Sequence, residues 1–160
     1  VSWCSGMNKA AEIIEKASRN KVVIATAESC TGGMVMAALT DIPGSSAAVD
    51  RGFVTYSNAA KRQMLNVAQA TLETHGAVSE EVAVEMAVGA LAASDAQLAV
   101  SITGIAGPGN SDHKPEGRVC FGLADASDVR SETVEFGAIG RSNVRIAARD
   151  HALDLLHAAL

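Results

Sequence analysis

The sequence predicts an α/β fold, a three-layer α/β/α domain with a central mixed sheet. Three observations carry this reading. Short β-branched or continuously apolar runs at 21–25, 52–56 and 98–102 alternate with stretches of helical periodicity. Turns rich in small residues follow those runs, and two strand-like segments, 118–124 and 132–136, flank a short connection and read as an antiparallel pair. With 160 residues, 48% hydrophobic and 19% charged, the chain has the balance of one domain with an adequate core, and no repeat, linker or low-complexity tract divides it.

The elements follow in order. Ala10, Ala11, Ile13, Ile14 and Ala17 form one stripe of a first helix over 8–18, and the strand at 21–25 comes next. A helix over 33–39 begins directly after a Ser-Cys-Thr-Gly-Gly turn, and Pro43-Gly44-Ser45-Ser46 breaks the chain before the strand at 52–56. Asn58 is the expected cap of a helix running through 61–65. Ser79 is the expected cap of a longer helix with Glu80 and Glu81 in its first turn, where the helix dipole favours them. The apolar run 98–102 is a central strand covered on both faces and empties into a long loop, 103–117. Ser142 is expected to cap a final helix ending at 160.

Composition excludes several function classes. Aromatic residues make up 3%, so the core is aliphatic and little remains for base stacking. A net charge of −5 without clustered Lys or Arg argues against a nucleic-acid partner. No apolar run is long enough to span a bilayer, and residues 1–6 lack a leader pattern, which points to the cytoplasm; Met7 is a candidate natural start. Cys4, Cys30 and Cys120 have neither disulfide nor zinc spacing, so neither a disulfide framework nor a zinc site is expected; no cofactor is expected either. Alanine-rich helix faces suit a homo-oligomer, a dimer or larger symmetric assembly.

Chemistry concentrates where strands meet small-residue loops, the usual place for ligands in such folds. The segment Thr26-Ala27-Glu28-Ser29-Cys30-Thr31-Gly32-Gly33 joins a strand to a helix N-terminus, where exposed N–H groups can hold a phosphate or a developing oxyanion. It is neither a Walker A loop nor a dinucleotide fingerprint, and its hydroxyls equally suit simple helix capping. Thr103-Gly104-Ile105-Ala106-Gly107-Pro108-Gly109 leaves a second strand at the same sheet edge, with Lys114 and Arg118 nearby. Tyr56-Ser57-Asn58-Ala59-Ala60-Lys61 leaves a third, and Lys61 in a first helical turn is either a base with a lowered pKa or a solvated surface cation. Arg141 is a bidentate phosphate ligand or a surface arginine, and Cys30 is a rival nucleophile or a small core residue. None of His75, His113, His151 and His157 falls into a triad or metal pattern.

Taken with Pro43-Gly44-Ser45-Ser46 and Gly76-Ala77-Val78-Ser79, these motifs resemble the CinA C-terminal domain family over nearly the whole chain. The resemblance implies a single amidohydrolase domain over 1–160, standing alone without the N-terminal domain of longer CinA proteins. It implies hydrolysis of the carboxamide of nicotinamide mononucleotide, giving nicotinic acid mononucleotide and ammonia in pyridine nucleotide recycling, with no metal. Carried onto this chain, it makes Ser29 the nucleophile, Lys61 its base and Tyr56 an active-site residue. Thr103 and Arg141 become substrate contacts, joined by Gly104 and Gly107 of the same loop, while the N–H groups of Thr31, Gly32 and Gly33 are the expected oxyanion donors. The chain departs from the family pattern at 110–116, usually richer in glycine and threonine, and at 138–140, where Gly-Asp-Arg is usual. The alternative is a non-catalytic nucleotide-binding or regulatory module of the same family.

Overall fold

A computed structural model describes the backbone of residues 2–160 and the side chains from residue 8 onward, so Cys4 and the candidate start at Met7 lie outside the described side chains. Helix α1 (Ser2–Asn20) leads into strand β1 (Ile24–Glu28), helix α2 (Met34–Thr40), a 3-10 turn (Ser45–Ala47) and strand β2 (Val49–Val54). Helices α3 (Asn58–Leu65), α4 (Gln69–His75) and α5 (Glu80–Ala92) precede β3 (Leu98–Gly104), β4 (Arg118–Asp125), β5 (Val129–Glu135) and α6 (Arg141–Ala158). The five strands form one sheet in the order β2-β1-β3-β4-β5. Strands β2 and β3 flank β1 in parallel, and the β3–β4 and β4–β5 pairs are antiparallel, giving the expected mixed sheet.

Alternation along the strands sorts the core into two layers. Ile24, Val100, Ile102, Val119 and Phe121 face α1, α2 and α6, packing on Ile13, Leu39, Val144 and Leu153. Ala25, Ala27 and Ala99 face α3, α4 and α5, packing on Leu65, Leu72, Val82 and Met86. Small residues on this second face let α5 lie close to the sheet. The Ser101 hydroxyl donates to the Ala83 carbonyl at 2.5 Å, and a Cβ on Gly122 would sit 2.5 Å from that same oxygen.

Several boundaries differ from the sequence reading, each for a local reason. The first strand starts at Ile24 because Lys21 closes α1 in a left-handed conformation (φ 57°). Ser57, not Asn58, caps α3, its hydroxyl accepting from the Ala60 N–H at 3.0 Å. Ser142 lies inside α6, which starts from Gly140 with no side-chain cap. The sequence reading contains no α4. Its Ala68 start lacks a capping side chain and is held instead by Glu85 of α5, which accepts from the Ala68 N–H at 2.8 Å and the Thr71 hydroxyl at 2.5 Å. Ser79 caps α5 as expected, accepting from the Val82 N–H at 3.2 Å.

Candidate active site

Because β1, β2 and β3 are parallel, their C-terminal ends share one edge of the sheet, and the three motif-bearing segments emerge there together. Ser29 extends β1 by one residue, its N–H donating to the Ile102 carbonyl of β3 at 2.9 Å. The chain then turns sharply through Gly32 (φ 58°) and Gly33 (φ 104°) into α2. That turn is built on Glu28. Its carboxylate, 1% exposed, accepts the Thr31 hydroxyl at 2.7 Å and the Val35 and Met36 N–H groups at 3.0 and 3.1 Å. It therefore supplies the negative cap that Gly33 cannot. From the other side Arg145 of α6 donates to the Cys30 carbonyl at 3.0 Å and the Thr31 carbonyl at 3.4 Å.

Lys61 lies in the first turns of α3 and points inward, 1% exposed. Its Nζ is 3.1 Å from Ser29 Oγ, 3.1 Å from the Thr55 carbonyl and 3.2 Å from the Tyr56 carbonyl. Burial holds its pKa below the ordinary lysine value of 10.5, because the ammonium loses hydration that two carbonyl dipoles only partly replace. A neutral amine donating to the two carbonyls presents its lone pair to the serine hydroxyl, the arrangement of a general base beside its nucleophile. Cys30 is unsuited to compete: burial pushes its thiol up to about 12, with Glu28 adding to the effect, so it stays protonated.

Ser29, Cys30, Tyr56, Lys61, Thr103 and Arg141 line one crevice, whose far wall is the loop 105–112. Tyr56 stands at the rim, 64% exposed, its hydroxyl accepting from Arg141 Nη2 at 3.2 Å. Arg141 Nη1 donates to the Gly107 carbonyl at 2.6 Å, which fixes the guanidinium over the crevice at the start of α6.

The other predicted residues are placed differently. Thr103 lines the crevice, but its hydroxyl donates to the Ala77 carbonyl at 2.8 Å, so it braces the wall. A Cβ on Gly104 would lie 2.7 Å from Val119 Cγ2, and one on Gly107 (φ 89°) 2.6 Å from Glu116 Cδ, so both glycines serve close packing as they line the crevice. Thr31, Gly32 and Gly33 do not line it. Thr31 is fully buried against Glu28, and the Gly32 N–H is used on the Ser29 carbonyl at 3.0 Å.

Residues 7–160 match the model of the CinA C-terminal domain. The chain belongs to the CinA C-terminal domain family. It is 54% identical over 134 residues to the nicotinamide-nucleotide amidohydrolase PncC of Escherichia coli (strain K12), covering 83% of this chain and 81% of that protein. It is 51% identical over 144 residues to a CinA-like protein of Chlorobium phaeobacteroides (strain BS1), covering 87% of this chain and 34% of that longer protein. The crystal structure of the competence/damage inducible protein CihA from Agrobacterium tumefaciens superposes with a TM-score of 0.93 at 48% identity, covering 96% of this chain and 94% of that one.

Within this CinA-type site the sequence reading missed the supporting residues. Glu28 lies within the 26–33 motif, and only its position three residues before Thr31 and seven before Val35 hints at its part as a carboxylate cap. Arg145 had no local signal, because it meets the 30–31 turn from a helix more than a hundred residues away. Among the described residues no helix is long and apolar enough to cross a membrane.

Proposed function

We propose that this protein hydrolyses the carboxamide of nicotinamide mononucleotide to nicotinic acid mononucleotide and ammonia, with Ser29 as nucleophile and Lys61 as base. The observation that carries the mechanism is the 3.1 Å contact between Lys61 Nζ and Ser29 Oγ at the floor of a crevice that Arg141 overhangs. The substrate follows from relatives at 54% identity that bear the amidohydrolase name.

Lys61 takes the Ser29 proton as Oγ adds to the amide carbon, and returns it to the nitrogen as the tetrahedral intermediate collapses, releasing ammonia. The resulting nicotinoyl ester on Ser29 is opened by water, with Lys61 again accepting the proton and Ser29 recovering it. Oxyanion stabilisation is assigned to the loop that faces Ser29. Ala106 and Gly107 line the crevice and their N–H groups donate to no acceptor among the described residues, whereas Thr31, Gly32 and Gly33 do not line it. Tyr56 acts through its carbonyl, which orients Lys61, and through its hydroxyl, which steadies Arg141. Arg141 receives the phosphate, and this remote contact selects the nucleotide over free nicotinamide.

The reading places the whole of 1–160 in one catalytic domain, in the cytoplasm, where the free buried Cys30 and Cys120 stay reduced. It also takes the protein as a homo-oligomer, most simply a dimer, consistent with exposed Val54, Met64 and Val88. Ammonia release by the purified protein from nicotinamide mononucleotide, with free nicotinamide as control, tests the activity. Binding of the nucleotide without release would establish the non-catalytic module instead.

A further inference from the structure

We infer that Lys114, on the loop between β3 and β4, is a clasp that sets the width of the substrate crevice, a positioning role that rests on the activity proposed above. The loop folds back on itself at 111–114: Ser111 and Lys114 exchange backbone hydrogen bonds of 3.1 and 2.8 Å, and Asp112 and His113 between them both have positive φ (49° and 60°). This is a two-residue turn of the hairpin kind. It presents Ser111 and Asp112 to the crevice and sends the Lys114 side chain across to the segment joining α4 to α5.

There Lys114 Nζ donates to the His75 and Val78 carbonyls, both at 2.5 Å. The carbonyls between them are also taken, Gly76 by the Ser79 hydroxyl at 2.9 Å and Ala77 by the Thr103 hydroxyl at 2.8 Å. Four successive carbonyls of a wall that contributes Ala77 and Val78 to the crevice are thus held by side chains, two of them by one ammonium. Hydrogen bonds from an ionised donor are about twice as strong as neutral ones. Of these three side chains only Lys114 ties the wall to the opposite loop. Glu116 fixes the base of that loop by accepting the Gly109 N–H at 2.8 Å while its own N–H donates to Asn110 Oδ1 at 2.9 Å, so the clasp pulls on a braced element.

The test compares Lys114→Met, which keeps the stem and removes the ammonium, with Lys114→Arg, in steady-state turnover of nicotinamide mononucleotide and in amide hydrogen exchange. Lys114→Met is expected to raise KM about tenfold while kcat stays within about threefold, with Lys114→Arg recovering most of the affinity. Exchange is expected to speed up at 75–79 and 109–117 and to stay unchanged in the core strands. An unchanged KM overturns the inference, as does exchange that rises uniformly with a lowered Tm, the signature of a purely structural residue. Should wild-type protein release no ammonia, the proposed activity fails on that result. The clasp is then decided by exchange alone, local acceleration supporting it and no change overturning it.

Discussion

A lysine acts as a base near neutrality only when its ammonium is destabilised; burial lowers the pKa of Lys61, the proposed base, and among the described residues no carboxylate is in hydrogen-bonding contact with it. Activity should therefore rise with pH through a basic limb that lies below the ordinary lysine range. Lys61→Arg keeps the charge but cannot deprotonate; it should lose kcat by roughly 10²- to 10⁴-fold, the usual scale of general-base catalysis, and flatten that limb. Stability carries a related sign. The folded protein gives up the Lys61 proton before the unfolded chain does, so the burial penalty is complete below the depressed native pKa. It is relieved as pH rises from there towards 10.5, and stability increases across that window. Ser29→Ala removes the hydroxyl proposed as the nucleophile. It should abolish ammonia release, a fall on the order of 10⁴-fold or more in kcat, while leaving nucleotide affinity close to wild type. Retained turnover would overturn the nucleophile assignment.

At the scale of elements, the site depends on where α3 is held. Its C-terminal end, Leu65, packs against Gly89 of α5 so closely that a Cβ on Gly89 would lie 2.0 Å from the Leu65 carbonyl oxygen. Gly89→Ala must push the two helices apart, costing about 1–3 kcal/mol as overpacking does. Because α3 carries Lys61, kcat should fall further than the loss of folded protein explains, a separation that denaturant melts and active-site titration can read. The sequence revealed α5 through its Ser79 cap and periodicity, and α3 through a capping residue read one position late. It was silent on their close approach, since a mid-helix glycine looks merely unfavourable until its partner is known. For the same reason α4 went unseen, its start being held by Glu85 from another helix. The segment 26–33 was legible as a functional turn. Which of its atoms face the crevice was not, because that is settled by Glu28 and Arg145 occupying the Thr31 side.

At the scale of the molecule, the crevice draws together the ends of all three parallel strands, the start of α3, the start of α6 and the loop before β4. The sequence already put the 26–33 and 103–109 motifs at one sheet edge, and the parallel direction of β1, β2 and β3 brings the 56–61 segment to that edge as well. A ligand spanning Ser29 and Arg141 would bridge segments more than a hundred residues apart, so its binding energy should couple to global unfolding and not to one loop. The Ser29→Ala variant allows this to be measured without turnover. At a nucleotide concentration about a hundredfold above Kd, the added stability should be about 2.7 kcal/mol. At roughly 2–4 °C per kcal/mol for a chain of this size, Tm should rise by about 5–10 °C. Free nicotinamide at the same concentration lacks the phosphate that would engage Arg141 and should shift Tm far less. Arg141→Ala should erase most of that difference between the two ligands. Equal shifts from nicotinamide and its mononucleotide in wild-type Arg141 protein would mean that the phosphate is not bound at the start of α6.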